Sequence, residues 1–283
     1  VRAFANAQDV CYLLVLCLVA ILFLWPAWLQ PDSFWYPPDS EFSDLTITHW
    51  PNMVFARESW REHGEIPLWR PLIMGGAPFV GNPQSTYFYP LNWLFLVLPV
   101  TPTFHLLFGL DMVVAGLTFY GLMRWSYKVS PFAALIGGLG YMLTPKFITH
   151  IAAGHVALCQ AFSWGPLLVW LLRSAIGQKR AIQAAFRAAC CGAALAMVFF
   201  AYPPSAFYDA LLLGAYALYR LIVLWRDSAN AKKTMSMALC LLLVPLALLL
   251  VGAIQILPTL ELMTVITRST LTLQDAGRDS LPW

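Results

Sequence analysis

Charged side chains are what this chain has least of. They make up 11 % of its 283 residues, against about 25 % in an ordinary soluble domain. Hydrophobic residues reach 60 %, and mean hydropathy is +0.68. That balance excludes an ordinary soluble enzyme and indicates a membrane protein with several spans. Several chemical signatures are missing as well. The six cysteines (11, 17, 159, 190, 191 and 240) all lie in apolar segments with no C-x-x-C among them, so they read as small buried hydrophobes, not disulfides or metal ligands. H-E-x-x-H spacing is absent, so His150 and His155 do not read as a zinc pair. GGAPFVGN (75–82) lacks the G-K-[ST] and the strand–helix context of a phosphate loop. No Ser–His–Asp elbow, internal repeat or low-complexity tract is present. Outside the inter-span loops there is no basic stripe, and a nucleic-acid partner is excluded. No cofactor is assigned by the sequence, and a divalent metal remains open.

What is present is a series of long apolar runs. Windows of about 20 apolar residues fall near 9–29, 103–125, 131–149, 151–173, 181–201, 204–225 and 234–257. They predict an all-α polytopic bundle of seven spans. The first run ends in Trp25, Pro26 and Trp28 without a small-residue cleavage site, so it reads as an uncleaved anchor. The chain divides into a first span (1–29), a long loop (30–102), a six-span bundle (103–257) and a tail (258–283).

The net charge of +3 says little, but its placement says more. Arg2, Arg124, Lys128, Arg173, Lys179, Arg180, Arg187, Arg220, Arg226, Lys232 and Lys233 all fall on one side of the alternating spans; these are eleven of the seventeen Lys and Arg residues. The short opposite connections, at Pro145–His150 and Tyr202–Ser205, hold almost no bases. Lys/Arg excess marks the cytoplasmic side. The expected protein lies in the inner (plasma) membrane, with its N-terminus cytoplasmic and its tail extracytoplasmic.

The loop 30–102 is then extracytoplasmic. PNMVFARESWREHGEI predicts an amphipathic helix with Met53, Val54 and Trp60 opposite its charges, ending at Gly64. The Pro-, Gly- and aromatic-rich stretch after it suits an ordered loop at the membrane interface. LNWLFLVLP is too short to span and reads as an interfacial or re-entrant helix. Within the spans, Asp111, His155, Gln160, Asp209 and Gln255 all fall in the outer half. Intramembrane polarity is costly and marks function by default, so a single outward-opening polar cavity beneath the loop is expected. Asp39 and Glu41, after Pro37–Pro38, read as solvated turn residues. Asp44 directly precedes a helix, where it either caps the helix or faces the cavity.

Several stretches, taken together, resemble the YfhO-like bacterial membrane proteins of the GT-C glycosyltransferase superfamily. They are SDLTITHWP (43–51), HGEIPLWRPLIMGGAPFVGNPQSTYFYPLNWLF (63–95), THIAAGHVALCQAFSWGPL (149–167), AYPPSAFYDALLL (201–213) and GAIQILPTLELM (252–263) followed by Arg268. The 63–95 stretch is the most specific. The resemblance implies transfer of a sugar from a polyprenyl-phosphate donor to a cell-envelope acceptor outside the membrane. It further implies a catalytic aspartate in the first outer loop, the position Asp44 occupies. A carboxylate placed there takes the proton of a poorly nucleophilic hydroxyl, while cations stabilise the departing phosphate. Arg57, Arg61, Arg70, Lys146, His150 and Arg268 are the outer-side candidates for that second role, Lys146 and His150 foremost. His155 is either a substrate contact or a hydrogen-bonded structural histidine.

Family members are typically longer, with further spans and a soluble outer portion. Two alternatives follow: a piece of a longer product, or a shortened relative that has lost catalysis. The competing function is a non-catalytic membrane subunit of a larger assembly, with lipid and protein neighbours only. A transporter is disfavoured, since neither an inverted repeat nor a polar path through the inner half is present.

Overall fold

A computed structural model of the protein describes residues 6–34, 43–73, 75–228 and 231–266. The described residues are mainly helical, with one two-stranded ribbon among them. Two short helices open the chain, α1 (Ala7–Phe23) and α2 (Trp25–Leu29). The first predicted span is therefore broken. Pro26 lacks an N–H and crowds the preceding turn, and the chain bends at Leu24 (φ −91°, ψ 11°). Helix α1 alone, at 17 residues, is shorter than the roughly 20 needed to cross a bilayer.

The outer-loop segment begins with a π-helical turn, Leu45–His49, that runs directly into α3 (Trp50–His63). Helix α3 buries Asn52, Met53 and Ala56 on one face and ends at Gly64 in the left-handed region (φ +67°). Val54 is half-buried and Trp60 exposed, so the apolar face is narrower than the sequence pattern predicts. The ribbon follows: β1 (Trp69–Arg70) pairs antiparallel with β2 (Ala77–Pro78), Trp69 opposite Pro78. LNWLFLVLP forms a 3₁₀ turn (Pro90–Trp93) and the one-turn helix α4 (Leu94–Val97).

Among the described residues, six helical stretches are long and apolar enough to cross a membrane. The first is α5 (Val100–Gly121), extended by a π-helical turn to Ser126. The second joins α6 (Pro131–Met142) and α7 (Pro145–Ala152), and the third joins α8 (Val156–Ser163) and α9 (Gly165–Ile176). Helices α10 (Ala181–Ala201) and α11 (Pro203–Ser228) come next, and α12 (Ala231–Leu241) with α13 (Leu243–Met263) closes the bundle. The break between α6 and α7 and the turn between α10 and α11 follow from proline. Thr144 is extended before Pro145, and Tyr202 before Pro203, because a residue ahead of proline is pushed out of the helical region.

The predicted edge between the third and fourth spans shifts by several residues. Helix α7 runs on to Ala152, and the connection is the tight turn Ala153–Gly154–His155. His155 therefore sits at the N-cap of α8 and not within the span.

Two apolar cores hold the bundle. One gathers Leu16, Phe104, Met112, Tyr120, Met142 and Phe147 from α1 and α5–α7. The other gathers Leu168, Leu172, Cys191, Leu195 and Phe200 with Phe88 and Tyr89 of the loop. In the second, α10 and α13 touch at Gly192, where an added Cβ would lie 2.2 Å from the Val244 carbonyl oxygen. Glycine is required there by proximity. At one end of the bundle, the buried Asp9 carboxylate accepts from Tyr120 Oη at 2.5 Å and from Arg124 Nε at 2.9 Å. This makes α1 and α5 antiparallel neighbours and puts the described residues of the loop between α2 and α5 at the opposite end. Arg124, read from sequence as an orientation charge, is thus also half of an ion pair.

Candidate functional site

The polar residues of the spans separate into a sealed group and an open group. In the sealed group, the loop threads back against the helices and is pinned there. Tyr89 Oη donates to Asp111 Oδ1 at 3.4 Å and accepts from Trp164 Nε1 at 3.0 Å. Gln160 Nε2 donates to Asn92 Oδ1 at 2.6 Å, and Asn92 Nδ2 donates to the Thr86 carbonyl oxygen at 2.9 Å. On the far side, Gln255 Nε2 donates to the Val80 carbonyl oxygen at 2.8 Å, and Thr259 Oγ1 to that of Gly81 at 2.9 Å. Asp111, Gln160, Asn92 and Gln255 are all buried. Paired polar groups cost little inside and are expensive once a partner is removed. Burial, with the nearby Asp111 charge second, raises the Tyr89 phenol well above the usual tyrosine range, so it stays a donor at any ordinary pH.

The open group is built around one turn. Gly154 adopts φ +75°, and a Cβ on it would lie 2.7 Å from Leu45 Cβ and 3.0 Å from the Leu45 backbone nitrogen. Only glycine meets both demands, left-handed backbone and close approach. The result is that Ser43–Leu45 packs directly on the α7–α8 turn. Ser43 caps the adjoining π-helical turn, its Oγ accepting from Thr46 N at 3.3 Å. Asp44 has helical backbone angles and makes no side-chain cap bond. The capping alternative for Asp44 therefore gives way: its carboxylate points to His155, with Oδ2 3.5 Å from Nε2. His155 Nδ1 in turn faces His150 Nδ1 at 2.9 Å.

His150 lines a half-open cavity of about 500 Å³. Lys146, Ser205, Tyr208 and Asp209 contribute polar groups to its lining, and Leu122, Leu168, Val169, Leu212 and Leu213 apolar ones. One wall is aromatic: Phe119 and Tyr141 stack at 5.1 Å, Tyr141 and Phe162 at 4.6 Å, and Tyr141 Oη donates to the Phe162 carbonyl oxygen at 3.0 Å. Behind Asp44 lies His49, which is buried. Burial drives its pKa down to about 4, with the Asp44 charge opposing and His155 adding to the shift. His49 is thus neutral near pH 7 and leaves the Asp44 carboxylate uncompensated from that side.

Of the residues singled out from sequence, the structure brings Asp44, His155, His150, Lys146 and Asp209 together. It does not bring Asp111, Gln160 or Gln255 to this cavity; the single cavity expected to collect all the intramembrane polarity holds Asp209 alone of the four. Arg70 is also elsewhere, its Nη1 donating to Asn52 Oδ1 at 2.6 Å and its guanidinium 5.8 Å from the Phe55 ring centroid. Arg57 faces a separate cleft with Trp50, Glu58 and Pro99. Arg61 is exposed on α3. Arg268, Asp39 and Glu41 lie outside the described residues. Sequence reasoning missed Ser43, His49 and Gly154. A signal existed for two of them: S-D-L-T has the spacing of a serine-capped turn, and Gly154 interrupts an apolar run. Among the described residues, no cluster of three or more His, Cys, Asp or Glu side chains has the geometry to hold a metal.

No family model matches this chain, and neither a curated protein nor a solved structure does.

Proposed function

We propose that the chain is a membrane-embedded, GT-C-like glycosyltransferase that passes a sugar from a polyprenyl-phosphate donor to a cell-envelope acceptor on the extracytoplasmic face. The observation that carries this is the cavity's amphipathic lining: Lys146 and His150 beside leucines and aromatics, with Asp44 one histidine away. An apolar chain fits the apolar lining, and an anionic phosphate fits beside Lys146, where an ammonium offsets its charge. Asp44, with its side chain 64 % exposed, is placed to meet an acceptor arriving from the aqueous side. It takes the hydroxyl proton as the hydroxyl attacks the anomeric carbon. Lys146 stabilises the negative charge that builds on the leaving phosphate.

The membrane arrangement belongs to the same proposal. Helices α1 and α2 together form a seventh, bent crossing, the N-terminus is cytoplasmic, and the protein sits in the inner or plasma membrane. The Lys/Arg asymmetry of the loops supports that orientation.

Transfer to the extracted envelope polymer, measured at matched protein levels, tests the assignment. Asp44→Asn keeps the shape but cannot take a proton at neutral pH, so transfer is expected to fall by about 10²–10⁴ while membrane insertion survives. Full activity in Asp44→Asn removes the catalytic assignment.

A further inference from the structure

Asp44, His155 and His150 make a continuous line from the aqueous side to the cavity, and both ends of that line carry chemistry. At one end is the carboxylate, 3.5 Å from His155 Nε2. In the middle, two Nδ1 atoms face each other at 2.9 Å. At that distance one ring donates and the other accepts, since two protonated or two bare nitrogens repel. At the far end, His150 shares the cavity lining with Lys146. The line is built, not incidental: the left-handed Gly154 turn holds His155 against the Ser43–Leu45 segment, and the His155 N–H donates to the His150 carbonyl oxygen at 2.9 Å.

Resting on the transferase reading above, we infer that His155 and His150 relay the acceptor's proton from Asp44 to the departing phosphate. The step balances without any further reactant. The acceptor O–H bond breaks and its oxygen bonds to the anomeric carbon, while the bond from that carbon to the phosphate oxygen breaks. The proton goes to Asp44 and from there to His155 Nε2. His155 Nδ1–H passes its proton to His150 Nδ1, and His150 Nε2–H protonates the phosphate. A phosphate monoester has a second pKa near 6, so the departing phosphate can accept the relayed proton near neutral pH. Asp44 thereby returns to its charged form within the turnover, and the two imidazoles, left in the opposite tautomers, regain their starting ones by proton exchange with water before the next.

Among the described residues, the charged and titratable groups around the line are Asp44 and His49 from the loop, His150 and Lys146 from α7, His155 from the turn, and Tyr141, Tyr208 and Asp209 across the cavity. His49 makes Coulombic contact with Asp44 and His155 but is buried, so it perturbs the line without joining it.

The test uses the full chain in detergent micelles with farnesyl phosphate as the probe, its ³¹P signal followed against pH. In the wild-type chain, Asp44→Asn is expected to move the midpoint of the bound phosphate by about one pH unit, the coupling at which two sites titrate as a pair. In a His155→Gln background the same change is expected to move it far less, because the connection is cut. In transfer assays, His155→Gln and His150→Gln should each lower kcat by on the order of 10², leave the donor KM unchanged, and be partly rescued by added imidazole. If Asp44→Asn shifts the midpoint equally with and without His155, the coupling is through space and the relay is wrong, while the transferase reading stands. If the His variants raise KM at constant kcat, the histidines only bind phosphate and the relay is likewise overturned. If farnesyl phosphate binds no better to the wild type than to Lys146→Ala, the prenyl-phosphate reading itself fails, and the relay with it.

Discussion

Asp111 and Asp44 show what becomes of a carboxylate in two settings of one helical bundle. Asp111 is 1 % exposed and takes a hydrogen bond from Tyr89, which is itself held by Trp164. Asp44 has a side chain 64 % exposed, and its carboxylate lies beside the imidazole of His155. The difference lies in the partners. Around Asp111, loop and helix side chains meet one another and close the space; Gln160 with Asn92 and Gln255 with Val80 repeat the pattern. Around Asp44, the tight Gly154 turn brings polar groups into line but leaves the line open at both ends. Depth in the membrane therefore does not identify a site by itself. Polarity enclosed by loop and helix, as at Gln160–Asn92 and Gln255–Val80, holds the fold, whereas polarity left exposed beside a cavity is available for chemistry.

The comparison breaks most visibly at Gly154. Gly154→Ala adds a Cβ against the Leu45 backbone and forces a left-handed alanine, at about 1–2 kcal/mol for the backbone alone. Because Asp44 must move away from His155, transfer is expected to fall about as far as in Asp44→Asn, by ~10²–10⁴. Thermal unfolding in detergent together with the transfer assay measures both effects. A Gly154→Ala protein with full activity would detach the turn from the site.

Gln160→Leu should do the opposite. It strands the buried Asn92 Oδ1, so stability should drop by about 1–3 kcal/mol, read by thermal unfolding, while catalysis by the folded fraction is kept. A specific loss of kcat in Gln160→Leu, with stability unchanged, would move the sealed group into the active machinery.

A smaller effect concerns pH. His49 has a folded pKa of about 4 against an ordinary value of 6.5. Between those values the unfolded chain binds a proton that the folded chain refuses, so stability falls as pH drops through this window. His49→Phe should flatten that part of the stability curve, and an unchanged slope would mean that His49 is not neutral in the fold.

Much of the fold could be read in the chain, because apolar periodicity and proline punctuation act locally. The α10 boundaries at Ala181–Ala201 coincide with the predicted window, and α3 ends at Gly64 as its pattern requires. The break at Leu24 was harder to see, since Trp25 and Pro26 fit an apolar anchor as well as a bend. The site was legible in part. Asp209 stood out as a polar residue in an apolar span and Lys146 and His150 as outer-side cations, whereas Asp44 was singled out through the position that the resemblance implies. Their separation from Asp111, Gln160 and Gln255 was not visible, because it depends on where the 80–93 loop folds back, and that packing is non-local. Gly154 decides the register between two distant segments, and a single glycine in a sequence does not announce its neighbour.

The distinction between a sealed and an open polar region is tested most directly by thiol accessibility at two serines. Ser205 lines the open cavity, whereas Ser163 is wholly buried beside Gln160, its Oγ donating to the Gln160 carbonyl oxygen at 2.8 Å. With the native cysteines replaced, Ser205→Cys and Ser163→Cys are exposed in turn to a membrane-impermeant thiol reagent on intact cells. The account predicts rapid labelling of Ser205→Cys and no labelling of Ser163→Cys until the protein is denatured. Equal labelling of the two, or labelling of Ser163→Cys alone, would contradict it.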